Sequence, residues 1–338
     1  MRILHLTFHQ GLTNEMNSLS KELGVEIVTK RFQDGVSQGS AIYSVGKAKA
    51  TAAWEKYKDY YMQFDVIITS DTVPISRVFL QNGWPEIPGK RLIIWVCNRF
   101  DYFDQASRDC LFPDREYYEL IRQANFRKNV HIMGYTKFEN HYGKYIKNTN
   151  FGNDVTTPIG ILSNGVWNYK SNPEQMIGNT MKKDTFFVPP YHNDTIFMKL
   201  SDKLNELGIP NFNGRYNGPL ELADFKGIIH IPYAWSNLAL FEAWQLGVIY
   251  FIPSLQFIKR MTKMGNFFWS PPLVEPLLHL SEWYDPQHSS LFVYFNSWED
   301  LQNKIKTTDY PAMKDKIQEY GRQHKERTLK KWREILDL

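Results

Sequence analysis

The feature that most constrains this chain is a recurring unit: a short apolar run that stops abruptly in polar residues, followed by a stretch with helical spacing. Residues 3–8 form the first run, and Met16, Leu19 and Leu23 then recur at helical intervals within residues 14–23. A second strand is expected at 25–28, a helix at 48–62, and buried strands at 65–70, 91–97 and 129–133. Apolar runs of roughly four to eight residues suit strands covered on both faces, as in a parallel sheet. Their alternation with helical segments predicts α/β layering.

The pattern breaks at residues 148–183, which are rich in Asn, Gly, Thr and Pro and read as linker and surface loop. It then resumes. A strand at 185–188 is closed by Pro189 and Pro190, and an amphipathic helix at 195–207 ends near Gly208. A strand at 227–232, a helix at 238–246, strands at 248–254 and 290–295, and one long charged helix from 311 follow. A chain of 338 residues is natural for two cores. The expected division is an N-terminal domain at 1–165, a C-terminal domain at 183–310 and the helix at 311–338.

Composition excludes several classes. Hydrophobic residues at 43% and charged residues at 22% describe a folded chain. Aromatic residues reach an unusual 15%; core packing is the default explanation for most of them, and aromatic rings also line clefts that hold planar or sugar-like ligands. The net charge of +4 is too mild for the clustered basic face that nucleic acid requires, so no nucleic-acid partner is expected. Basic residues do concentrate at Lys325, Arg327, Lys330, Lys331 and Arg333. A solvated helix face is the first reading of that run, and a peripheral contact with a membrane surface or polyanion the second. No stretch has the roughly 18 uninterrupted apolar residues of a membrane span, and the N-terminus does not read as a signal peptide. The only two cysteines, Cys97 and Cys110, have no metal-ligand spacing and build no disulfide framework. A reducing, cytoplasmic compartment is the expectation.

The chemistry concentrates between His230 and Pro253. A buried strand ends at Pro232, and a polar turn leads into a helix for which Ser236 or Asn237 is a good N-cap. The free N–H groups and positive dipole end of such a helix attract phosphate. Glu242 stands about one turn further in, where a carboxylate can accept both hydroxyls of a ribose. Gly247 closes the helix before the next apolar strand. Tyr233 and Trp235 precede the cap and could stack on a base or sugar.

This stretch resembles the GT-B glycosyltransferases, the twin-Rossmann sugar-nucleotide enzymes. Their C-terminal domains commonly carry a strand, a proline-containing loop and a helix reading Glu-Ala-x-x-x-Gly before an apolar strand ending in Pro or Ser. Here Glu242, Ala243 and Gly247 match, followed by the strand to Ser254. The resemblance implies an α/β fold of two Rossmann-like domains facing across a cleft, with the C-terminal helix returning to the N-terminal domain. It implies a metal-independent transferase of carbohydrate biosynthesis that moves a sugar from a UDP- or GDP-sugar to a hydroxyl of a glycan or small molecule. The nucleotide sugar is then a co-substrate, and no other cofactor is expected. Two departures stand out. Many retaining members carry a second glutamate in the loop before the ribose-binding one, and that position here is Ala234. Their phosphate-binding Arg/Lys pair is also not evident after the 185–188 strand. Inversion and retention both stay open.

Other candidates follow strand ends, where open parallel sheets bind ligands. In the C-terminal half, Tyr191 and His192 could meet the diphosphate, and Arg215, in a glycine-bracketed loop, is the best cation to offset its charge. In the N-terminal half, His9 is the candidate general base, with Asp101 the alternative. Gly11, read as a tight turn beside it, is expected to bind the acceptor together with Arg99 and Asp71, although Asp71 is also a plausible helix cap. No Asp-x-Asp, P-loop, dinucleotide fingerprint or nucleophile elbow occurs, which removes GT-A, NTPase, classical dehydrogenase and α/β-hydrolase readings. The rivals are a non-catalytic sugar-nucleotide or glycan-binding module, a sugar-nucleotide epimerase, and a DNA-base glucosyltransferase.

Overall fold

The computed structural model describes residues 1–32, 45–97, 100, 115–160, 184–190, 199–214, 216, 219–263 and 275–338. The apolar runs form two five-stranded sheets in which every ladder is parallel. The chain divides into two compact units, Met1–Pro158 with Thr328–Leu338, and Ile159–Arg327.

In the first unit, β1 (Ile3–Thr7), β2 (Ile27–Arg31), β3 (Val66–Thr69), β4 (Arg91–Val96) and β5 (Val130–Gly134) lie in the order β2-β1-β3-β4-β5. The connecting segments include α1 (Gln10–Leu23), α2 (Lys47–Tyr61), α3 (Arg77–Leu80) and α4 (Arg115–Ala124), with α5 (Lys137–His141) following β5. Side chains alternate between the two faces of a strand. Leu4, Leu6, Ile67, Leu92 and Ile94 therefore enter one buried cluster with Tyr61, Phe79, Trp84 and Tyr117. Trp95 points the other way and meets Trp332 edge-on at 5.5 Å, while its indole N–H donates to the Thr156 carbonyl at 2.7 Å. Each such buried indole contributes roughly 2–3 kcal/mol by leaving water. Arg91 pairs with Asp337 at 2.6 Å.

Two expectations need correction here. Helix α1 begins at Gln10, because the His9 carbonyl already accepts the Thr13 N–H at 3.1 Å. Gly11 therefore lies in the first turn of a helix, without the positive φ of a tight turn. Strand β2 runs two residues later than 25–28 suggests, and it ends in the polar Thr29, Lys30 and Arg31. It pairs on one side with β1 and lies at the sheet edge, where apolar side chains are not required.

The second unit contains β6 (Phe186–Val188), α6 (Leu200–Glu206), β7 (Asn211–Asn213), α7 (Pro219–Leu222), β8 (Gly227–Ile229), α8 (Leu238–Leu246), β9 (Tyr250–Pro253), α9 (Leu255–Lys263), β10 (Phe292–Phe295), α10 (Trp298–Thr307) and α11 (Tyr310–Leu336). Its strand order is β10-β9-β8-β6-β7. Counted from β6, this is the topology of the first unit, so the chain uses one doubly wound arrangement twice. Helix α8 ends at Gly247, whose φ of 68° is the left-handed C-cap for which glycine is suited, and Gln318 donates to the last carbonyl, Leu246, at 3.2 Å.

Cations of the basic C-terminal run have partners: Arg327 lies over the Tyr320 ring, and Lys331 pairs with Asp154. Just ahead of the run, Arg322 pairs with Glu319 at 2.8 Å and Glu326 at 2.6 Å. Among the described residues, no helix is long and apolar enough to cross a membrane.

Candidate functional site

In a sheet of this topology the crossovers diverge between the first and third strands, opening a crevice beyond their carboxyl ends. In the second unit those strands are β6 and β8. The segment after β8, from His230 to Asn237, therefore occupies the position where the topology creates a ligand site.

That segment is fixed by hydrogen bonds from a sequence-distant stretch. Trp283 donates its indole N–H to the Ala234 carbonyl at 2.9 Å, and the Glu282 N–H donates to the Trp235 carbonyl at 2.9 Å. The His230 ring packs against Trp283, with centroids 4.6 Å apart, and Tyr233 stands edge-on to His230. His230 is buried, and burial pushes its pKa down to about 3, so it is a neutral packing group. Tyr233 is half-buried, and burial raises its phenol pKa. Trp235 is only 3% exposed; its ring belongs to the packing of the loop and presents no platform to solvent.

Asn237 is the N-cap. Its backbone is extended, with φ −146° and ψ 156°, and its Oδ1 accepts the Leu240 N–H at 2.8 Å. Such a cap is worth about 1 kcal/mol. The next hydroxyl back, Ser236 Oγ, is enclosed and has no hydrogen-bond partner among the described residues. Glu242 is 4% exposed, among the buried Leu240, Phe241, Ala243 and Trp244. It is not a helix-surface carboxylate. A carboxylate taken out of water is stable only when charge-assisted hydrogen bonds compensate it.

Behind this helix lies an ionisable pair that the sequence does not announce. His288 Nδ1 stands 2.9 Å from Glu282 Oε2, both side chains buried, and the His288 ring packs on Trp244 with centroids 4.9 Å apart. Glu282 and Trp283 thus hold the loop after β8 through one segment and the back of α8 through His288.

In the first unit the corresponding crevice lies beyond β1 and β3. His5, on β1, is fully buried and shares a 2.7 Å hydrogen bond with Ser70, just past β3. Burial lowers the His5 pKa to about 3, which keeps the ring neutral. Asp71 follows with φ 70°, a left-handed backbone unusual for a residue with a side chain, and is 5% exposed. The N-cap position of the next turn is held by Thr72 and not by Asp71. The Asp71 backbone N–H reaches Cys97, whose thiol pKa is raised by burial. His9 is exposed at the N-cap position of α1. Arg99, Asp101, Tyr191, His192 and Arg215 lie outside the described residues. Among the described residues no group of His, Cys, Asp and Glu is arranged to hold a metal ion.

No family model matches the chain, and no curated protein matches it either. Among solved structures, a double variant of Os79 from O. sativa in complex with UDP is similar at a TM-score of 0.42 and 10% identity, over 95% of this chain and 100% of that one.

Proposed function

We propose that the chain is a glycosyltransferase that moves a sugar from a nucleotide diphosphate donor to a hydroxyl acceptor without a metal. The observation that carries this reading is Glu242: a buried carboxylate roughly one turn beyond the Asn237 cap, on the helix that leaves the switch point of a doubly wound sheet. A ribose offers such a carboxylate two donor hydroxyls. The start of the same helix offers N–H groups and a positive dipole end to the diphosphate, and Ser236 adds an enclosed hydroxyl. Tyr233, half-buried on this loop, would contact the base or sugar. Tyr191, His192 and Arg215 complete the donor assignment.

In the first unit, His9 and Asp101 are the proposed bases, and Arg99 and Asp71 the proposed acceptor-binding residues. The base would take the proton from the acceptor hydroxyl as its oxygen bonds to the anomeric carbon. The glycosyl–phosphate bond breaks, and the nucleoside diphosphate leaves with the electron pair, its charge offset by Arg215 and the helix dipole.

The test is calorimetry with UDP, GDP and their sugar conjugates, paired with a transfer and donor-hydrolysis assay. The expected result is binding of one nucleotide series that Glu242→Ala weakens at least tenfold. Unchanged affinity for every nucleotide removes the ribose assignment, and full turnover in both His9→Ala and Asp101→Ala removes the base assignment. Ala234, where many retaining relatives have a glutamate, favours a second reading as a binding module without catalysis. Detectable transfer or hydrolysis eliminates it.

A further inference from the structure

A cavity of about 440 Å³ lies in the first unit against the edge strand β2. Leu6 and Phe32 line its base, Tyr57, Tyr60 and Tyr61 from the end of α2 form a wall of three rings, and Lys30 and Arg31 from the end of β2 stand at its rim. We propose that this cavity binds a small organic phosphate with an apolar body, the body against the tyrosines and the phosphate at Lys30, which lies in register with Leu6, with Arg31 adjoining it at the end of the strand. This site is independent of the donor reading, which places its ligand in the other unit.

Three observations combine. The first is size: a volume of this order falls within the roughly 300–1,000 Å³ of small-molecule sites, and the lining is mostly apolar with a few polar groups, as such sites are. The second is that the base is fixed. Phe32 is 3% exposed, its N–H donates to the Thr7 carbonyl at 3.0 Å, and its ring stands edge-on to Phe8 at 5.5 Å. Tyr61 is likewise 3% exposed, and burial raises its phenol pKa. A ligand entering here meets preset rings and loses little to reorganisation.

The third observation is charge. Lys30 and Arg31 are both exposed, and neither has an ion-pair partner among the described residues. A third cation, Lys56, lies over the Tyr57 ring at 5.3 Å, and Arg2 stands over Phe64, the neighbour of Tyr60, at 5.2 Å. On the same helix, Glu55 is engaged by Lys58 at 3.1 Å. An apolar cavity bordered by unpaired cations complements an amphipathic anion, with arginine and lysine the usual partners of phosphate oxygens. A neutral sugar would use the rings and leave the cations idle.

The experiment titrates hexyl phosphate into the full chain by calorimetry, with inorganic phosphate and hexanol as the two halves of the ligand. Hexyl phosphate should bind at least tenfold more tightly than either half. The double substitution Lys30→Glu with Arg31→Glu, at exposed positions, should cost at least tenfold in affinity with an unchanged melting curve. Tyr57→Ala should weaken hexyl phosphate and leave inorganic phosphate unaffected. Binding no tighter than that of the halves overturns the proposal, as does parental affinity in the charge-reversed variant. Sedimentation with phosphatidic acid vesicles identifies the source. Retention that the double variant loses makes the natural ligand a lipid headgroup, and hexyl phosphate binding without retention makes it a free metabolite. Equal retention on phosphatidylcholine vesicles in both proteins leaves the cations no role and also overturns it.

Discussion

Gly321 and Trp244 meet backbone to backbone: a Cβ built on Gly321 would stand 2.5 Å from the Trp244 carbonyl carbon and 2.6 Å from the Gln245 nitrogen. Helix α11 therefore packs backbone against backbone on α8, the helix that carries Glu242. Helix propensity alone would make Gly321→Ala stabilising by about 1 kcal/mol. The steric conflict is with main-chain atoms that no rotamer change moves aside, and overpacking of this kind costs about 1–3 kcal/mol. The clash should win. Urea denaturation of Gly321→Ala should show a lowered midpoint at an unchanged slope, and a midpoint at or above the parent's would mean that the two helices separate freely.

Two of the buried histidines, His5 and His230, make stability depend on pH in a known direction. Burial lowers the pKa of His5 and of His230 to about 3, from 6.5 in the unfolded chain. Well above pH 6.5 both are neutral in both states and contribute no pH dependence. As pH falls below 6.5, the unfolded chain takes up protons that the folded chain refuses until about pH 3, so stability drops throughout that interval. Each histidine contributes a slope of up to about 1.4 kcal/mol per pH unit. Melting temperature measured from pH 7.5 down to 5 should fall steadily, and His5→Asn should flatten the fall once its own loss of stability is subtracted. A pH-independent melting curve over that range would mean both rings reach solvent.

How far the sequence is legible follows from what is local. Helix α8 is read correctly at both ends because its punctuation, Asn237 before and Gly247 after, is a matter of a few adjacent residues. The central strands of both sheets are legible because burial on two faces makes them apolar throughout. Edge strand β2 is placed two residues early and the short β7 goes unread for the converse reason: their residues include Lys30, Arg31 and Asn213, and only main-chain pairing makes them strands. Gly11 misleads because glycine is tolerated in a first helical turn as well as in a tight one. The long-range devices leave no local trace. His5 and Ser70 are 65 positions apart, and Trp283 reaches Ala234 across 49. A lone histidine between Leu4 and Leu6 is the one available sign that β1 carries something other than core.

Asp71 holds a left-handed backbone, φ 70°, which costs about 1 kcal/mol or more for a residue with a Cβ. Glycine adopts it without that cost. Asp71→Gly should therefore be more stable than Asp71→Ala by about 1 kcal/mol, since both lose the carboxylate and only one keeps the strain. Equal unfolding midpoints for the two variants would mean that the loop relaxes to a right-handed backbone when the carboxylate is removed.

Asn237 separates a structural from a ligand-binding role for the start of α8. Its Oδ1 accepts the Leu240 N–H, so Asn237→Ala should lose about 1 kcal/mol of stability whatever the helix binds. Asn237→Asp is more informative. Aspartate caps as well as asparagine, and its charge suits the positive end of the helix dipole, so the melting temperature should stay level or rise. The same charge would stand beside a bound diphosphate. A like charge there should weaken a nucleoside diphosphate by about threefold or more at low salt, with the penalty shrinking as ionic strength rises. The corresponding nucleoside, which lacks phosphates, should bind the variant and the parent equally. Salt-dependent loss confined to the phosphorylated ligand locates the phosphates at this helix start, whereas parental affinity at low salt would move them elsewhere and leave Glu242 as the remaining donor contact on α8.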